Sequence, residues 1–223
     1  MHDLAFKKSR FQFITNQWSP ISIEQQVEKA CRGGCGWIQL RLKDQDESKW
    51  PEVLTNVRAI CQAYGAFLII NDHVEMALKS HADGVHVGKE DMCPDKARQI
   101  LVEHSIVGGT ANTLEDIRAL HRKGIDYIGL GPFRQTDTKQ KLSPVLGIEG
   151  YKRIIHQMKR ENIALPVIAI GGIEVGDIPR IMQTGVHGIA LSSAIAHHKD
   201  PEAIARQIHT FITQEVYHAK DLR

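Results

Sequence analysis

Eight times along the chain a short apolar run gives way to a helix-length amphipathic segment, and this alternation constrains the fold more than any other feature. The runs are FQFIT (11–15), WIQLRL (37–42), AFLIIN (66–71), GVHVG (84–88), SIVGGT (105–110), YIGLG (127–131), PVIAIGG (166–172) and GIALSS (188–193). Between them lie helical patterns such as SIEQQVEKACRGG, WPEVLTNVRAICQAYG, TLEDIRALHRKG, GYKRIIHQMKRE and VGDIPRIMQTG, several closing on a glycine where helices stop in a left-handed turn. Strands separated by helices run parallel. Eight βα units of about 28 residues each fill the 223 residues, near the short end of the range for a closed (β/α)8 barrel.

The expected fold is therefore α/β, a single (β/α)8 TIM barrel over residues 1–223, with an open doubly wound sheet as the competing architecture. SHADGVHVG, RKGIDYIGLG and QTGVHGIALS repeat one design, a small residue and one or two polar residues before a strand. Such repetition favours barrel symmetry, because the edge strands of an open sheet would differ from the rest.

Composition narrows the partners. The chain is 42% hydrophobic and 24% charged with a net charge of +2, both signs interspersed, so neither a nucleic-acid footprint nor a polybasic membrane patch is expected. No apolar run approaches the roughly 20 residues that cross a bilayer, and MHDLAFKKSRFQF lacks the apolar stretch of a secretory signal. With four cysteines and no CxxC pair, reduced thiols in the cytoplasm are expected. Cys31 and Cys35 share a helix face, but core packing outweighs half a metal site, since zinc needs further ligands nearby. His86 is expected to pack in the core or at the rim, and the tail YHAKDLR to fray.

Barrels carry their chemistry at the C-terminal ends of the strands. In the second, alternation turns Gln39, Arg41 and Lys43 inward and Ile38, Leu40 and Leu42 toward the helices. Two cations and an amide there need an anionic ligand or an ion-pair layer with neighbouring acids. Asn71 and Asp72 follow the third strand and Asp91 the fourth. Each aspartate alone suits a helix N-cap; beside Arg41 and Lys43, a diphosphate with Mg2+ accounts for them better, since Mg2+ takes one or two carboxylates and fills its remaining positions with water and substrate phosphate.

The fifth strand leaves Thr110 and Asn112 at the rim, able to orient a heterocycle or to cap the helix from Thr113. After the sixth, GLGPFRQTDTKQ offers Gly129 and Gly131 for close backbone approach, the hydroxyls of Thr136 and Thr138, and the charge of Lys139. Gly172 and the pair Ser192 and Ser193, after strands seven and eight, suit a phosphomonoester. The rim thus offers two phosphate sites.

On QLRLK, ND at 71–72, ADGVHVGKED, YIGLGP, TDTK, AIGGI and SSAI, in that order over essentially the whole length, the chain resembles the thiamine-phosphate synthase family. The resemblance implies a (β/α)8 barrel that joins 4-amino-2-methyl-5-pyrimidinylmethyl diphosphate to a thiazole phosphate with Mg2+, giving thiamine phosphate and diphosphate. It implies pyrimidine diphosphate contacts at Gln39, Arg41, Lys43, Asn71 and Lys139, Mg2+ ligands at Asp72 and Asp91, and a thiazole phosphate cradle of Thr136, Thr138, Gly172, Ser192 and Ser193. Arg41, Lys43 and Lys139 are the expected catalytic charges.

Four positions depart from the family pattern: Leu42 inside QxRxK, Lys89 for a common Gln, Thr110 for a Ser, and Asn112 for a His. Thr110 keeps the hydroxyl, so it stays among the expected substrate contacts, and Lys89 is expected to add positive charge near the metal. A thiazole tautomerase or a non-catalytic phosphate-binding regulator would use strands seven and eight but neither Asp72 nor Asp91. The sequence leaves monomer and homo-oligomer open.

Overall fold

The computed structural model describes residues 9–43, 47–135 and 144–221, with side chains to residue 214. Its strands are β1 (Phe11–Ile14), β2 (Trp37–Leu40), β3 (Phe67–Asn71), β4 (Gly84–Val87), β5 (Ile106–Ala111), β6 (Tyr127–Leu130), β7 (Val167–Ala169) and β8 (Gly188–Leu191). Each pairs in parallel with the next, and β8 returns to β1 through Phe13 and Leu191, closing the barrel. All eight expected strands form, so the open sheet is excluded. Six of the eight end earlier than the apolar runs suggest, most of all β7, because Gly171 and Gly172 turn left-handed with φ of 94° and 65°.

The helices are α1 (Ile23–Arg32), α2 (Trp50–Tyr64), α3 (Val74–Lys79), α4 (Pro94–Ile100), α5 (Leu114–Arg122), α6 (Gly147–Arg160), α7 (Ile178–Met182), α8 (Ser193–Ala196) and α9 (Pro201–Asp221). Ser22 and Thr113 start α1 and α5 with reciprocal side-chain caps. Instead of fraying at YHAKDLR, α9 continues to Asp221. No helix among the described residues is long and apolar enough to cross a membrane.

Strand alternation sorts the core into two layers. Phe13, Ile38, Leu40, Ile70, Val85, Val107, Ile128 and Leu130 meet the helices, whereas Ile14, Trp37, Ile69, Ile106, Tyr127, Ile168 and Ala190 fill the barrel. Cys31, Cys35 and Cys61 are buried free thiols; burial pushes Cys31 up to about 12, so it stays protonated and packs as an apolar group.

The repeated pre-strand motif brackets neighbouring strands. Asp83 and Asp126 each accept from the backbone N–H of the preceding strand, at Leu68 and Val107, both at 2.7 Å. In the third copy His187 stands in that place and meets the Ser9 carbonyl instead. The glycine after Asp83 is required by space: a β-carbon on Gly84 would lie 1.9 Å from the Ile106 carbonyl oxygen. Since backbone must move to accommodate it, Gly84→Ala is expected to cost about 3 kcal/mol and lower Tm by roughly 6–12 °C in a thermal melt. A melt within 2 °C of the parent, roughly the shift of a sub-kcal change, would contradict this packing.

Candidate functional site

Asp72 and Asp91 come together at the C-terminal rim, their carboxyl groups within hydrogen-bonding reach, with Arg41 and Lys43 close enough to act on Asp72. Burial, followed by the bond and charge of Asp91, pushes the Asp72 carboxyl up to about 6, and the two cations only partly oppose it. Neither aspartate caps a helix: His73 and Cys93 occupy the N-cap positions of α3 and α4, without side-chain caps. Asp91 instead accepts from the Gly88 N–H at 2.7 Å. Asp72 sits at φ 66°, held by its N–H bond to the His86 carbonyl at 2.8 Å. A non-glycine residue kept left-handed at a strand end, away from any helix C-terminus, is the type of strain found where a side chain must be aimed.

Arg41 reaches this rim because its backbone N–H donates to Thr15 Oγ1 at 2.9 Å and Thr15 donates back to the Arg41 carbonyl at 3.2 Å. Lys43 is exposed and Asn71 half-buried at the end of β3. Gln39, pointing inward as alternation requires, lies deeper: it is 2% exposed and donates from Nε2 to Gln12 Oε1 at 3.5 Å. Ile38, Leu40 and Leu42 belong to the outer layer, as expected.

Among the described residues no group of three or more His, Cys, Asp or Glu side chains is placed to hold a metal ion. Two hard carboxylates side by side fit a divalent cation that completes its shell with water and substrate oxygen, and they do not fit an all-protein cage.

Lys89 does not add unmatched charge beside this pair. Its Nζ lies 2.6 Å from Asp116. Burial works to raise the Asp116 carboxyl, but Lys89 and bonds from Asn112 and Thr113 prevail and hold it below the ordinary carboxylate range. Asn112 ties β5 to β6, donating from Nδ2 to the Gly131 carbonyl at 2.5 Å, and Thr113 itself caps α5. Thr110 meets His86 Nε2 through its hydroxyl at 3.0 Å. Thr136, Thr138 and Lys139 lie outside the described residues.

On the opposite arc, Gly172 follows β7, and Ser192 and Ser193 follow β8 at the start of α8. Arg134 straps the β6 end to the β7 end: its Nη1 donates to the Gly172 carbonyl at 2.6 Å while both terminal nitrogens reach Asp177 at 3.1 Å. The two serine hydroxyls converge on Asn16, whose Nδ2 lies 3.2 Å from Ser193 Oγ and 3.4 Å from Ser192 Oγ. Trp18 N–H donates to Asn16 Oδ1 at 3.0 Å, which orients the amide with its donor toward the serines. Gln26, 1% exposed, holds the Asn16 backbone from both sides.

Asn16, Gln26 and Arg134 were not among the expected site residues. Asn16 was findable, since it follows the first strand just as Asn71 ends the third. Arg134 and Gln26 act through tertiary contacts with no sequence signature.

A closed (β/α)8 barrel with an acid pair and cations on one arc of its C-terminal rim, and convergent hydroxyls on the other, defines a barrel enzyme of phosphorylated small molecules. The family model described as Thiamine monophosphate synthase matches residues 11–195. A Thiamine-phosphate synthase of Phocaeicola vulgatus is 50% identical over 202 residues, covering 91% of this chain and 97% of that protein. One of Flavobacterium johnsoniae is 46% identical over 190 residues, covering 84% and 90%. The solved thiamine phosphate pyrophosphorylase of Pyrococcus furiosus superposes with a TM-score of 0.84 at 30% identity, over 94% of this chain and 98% of that one. The chain belongs to the thiamine monophosphate synthase family, and it is a transferase.

Proposed function

We propose that residues 1–223 form one cytoplasmic catalytic domain that transfers the pyrimidinylmethyl group of 4-amino-2-methyl-5-(diphosphooxymethyl)pyrimidine to the nitrogen of a thiazole phosphate. The bond from the methylene carbon to the diphosphate oxygen breaks, its electron pair leaving with diphosphate. The thiazole nitrogen lone pair then forms the new carbon–nitrogen bond of thiamine phosphate. The aminopyrimidine donates electron density to the methylene carbon, so no attacking side chain is needed.

The carrying observation is the pairing of the Asp72 and Asp91 carboxyl groups at one rim, with Arg41 and Lys43 close enough to act on Asp72. Two carboxylates held against each other are relieved of their mutual repulsion by a cation, and Asp72 and Asp91 would hold Mg2+. When bound, that ion supplies positive charge to the leaving diphosphate. Arg41, Lys43 and Lys139 supply charge to the leaving group, with Gln39, Asn71 and Thr110 orienting the pyrimidine diphosphate. Gly172, Ser192 and Ser193, with Thr136 and Thr138, hold the thiazole phosphate. A tautomerase or a phosphate-binding regulator would leave the acid pair without purpose.

Mixing purified protein with both substrates and Mg2+ should release diphosphate, and chelator should stop it. No diphosphate, or release unaffected by chelator, contradicts the reaction. Ser193→Ala should raise the thiazole phosphate KM by about three- to tenfold with kcat nearly unchanged, because one hydrogen bond equal in ground and transition states is lost. A fall in kcat alone would remove Ser193 from the cradle.

A further inference from the structure

The barrel interior holds a chain of polar groups that packing alone does not require. Tyr127, fully buried and edge-on to Trp37, presents its hydroxyl 3.0 Å from His86 Nδ1, and His86 Nε2 lies 3.0 Å from Thr110 Oγ1. Thr110 is half-buried at the rim, so this line of hydrogen bonds runs from the barrel core to the floor of the site.

Two glycines make room for it. A β-carbon on Gly108 would lie 2.1 Å from the Tyr127 ring carbon Cζ, and one on Gly129 would lie 3.0 Å from the His86 ring. Gly108 pairs with both His86 and Tyr127 across β4, β5 and β6, and Gly129 pairs with Thr110, so each gap is cut beside a member of the line.

The partners at the buried end set the direction of the protons. Gln39 Nε2 donates to Gln12 Oε1, and both amides act on the Tyr127 hydroxyl. The buried Gln12 Nε2 makes no hydrogen bond among the described residues, so its donor is left for the phenol oxygen on which that amide acts. A phenol oxygen that accepts from below sends its own proton on to His86 Nδ1. Imidazole then carries its proton on Nε2 and donates to Thr110 Oγ1, which leaves the threonine proton free to point into the site.

We propose that Tyr127 and His86 are positioning residues that set the Thr110 hydroxyl as a donor to a lone-pair atom of the pyrimidine diphosphate. The proposal rests on the reading of Thr110 as a substrate contact. It adds a specificity rule: a substrate presenting a hydrogen-bond donor at that point meets a hydroxyl already turned to donate.

The nitrogen-15 shifts of the His86 ring, assigned by their loss in His86→Gln, test the wiring without any turnover. A protonated Nε2 and bare Nδ1 are expected, and Tyr127→Phe should mix the two tautomers. Nδ1 protonated in the parent protein would overturn the proposal. In kinetics, Thr110→Val and Tyr127→Phe should each lower kcat/KM for the pyrimidine diphosphate by about three- to tenfold, and the double variant should lose no more than Thr110→Val alone. Losses that multiply in the double variant would mean Tyr127 acts by packing only, and would overturn the coupling. If Tyr127→Phe fails to fold, the parent protein's ring shifts still decide. If no diphosphate is released by any variant, the proposed reaction fails while the ring shifts continue to judge the relay.

Discussion

Asp91→Asn is expected to lower turnover by about a hundredfold or more, the equivalent of roughly 2.7 kcal/mol of lost transition-state stabilisation. Asparagine keeps an oxygen for the Gly88 N–H bond, so the β4 end should fold as before while one of the two carboxylates is gone. The same substitution has a signature in pH. Asp72 titrates at about 6 in the folded protein, above its ordinary 3.8, so its protonation favours the fold. That contribution is fully present below the ordinary carboxylate value and is lost as pH rises through about 6. Mg2+ acts in the opposite sense, because it needs the pair deprotonated. The rise in Tm on adding Mg2+ should therefore be small near about pH 5 and larger above about pH 7, and Asp91→Asn should shrink it at both. A Mg2+ effect independent of pH, or an Asp91→Asn enzyme with full turnover, would end the assignment of the pair as metal ligands.

Arg41→Met ranks second. Two unit charges about 4 Å apart interact by roughly 4 kcal/mol at an effective dielectric near 20, and screening at a half-exposed rim reduces this to about 2–3 kcal/mol. Turnover should accordingly fall by about thirty- to 160-fold. Methionine fills the space of the side-chain stem, and the Thr15 bonds to the Arg41 backbone do not depend on the side chain. Because Arg41 opposes the upward shift of Asp72, its removal should also move the Mg2+-dependent rise in Tm to higher pH. Loss of turnover with no such movement would place Arg41 on the substrate but away from the acid pair.

The barrel was legible because its information is local. Period-two apolar runs, helix caps at Ser22 and Thr113, and the repeated pre-strand motif each act over a few residues, and the repetition favours closure, which the β8–β1 pairing completes. The acid pair was half legible. Asp72 and Asp91 stood at neighbouring strand ends, but their alternative as helix caps is rejected only by the bonds they make. Lys89 misled for the same reason: its charge was visible, and its partner Asp116, 27 positions onward on α5, was not.

Sequence alone determined the number and order of the strands, the inward face of each, and therefore which residues reach the rim, since alternation along a strand is set by the backbone. Tertiary structure decided which of those residues meet: Asn16 with Ser192 and Ser193, Arg134 with Gly172, and Tyr127 with His86 and Thr110. Those contacts join positions from 24 to 177 apart, and nothing in a local pattern carries a distance that only chain closure creates.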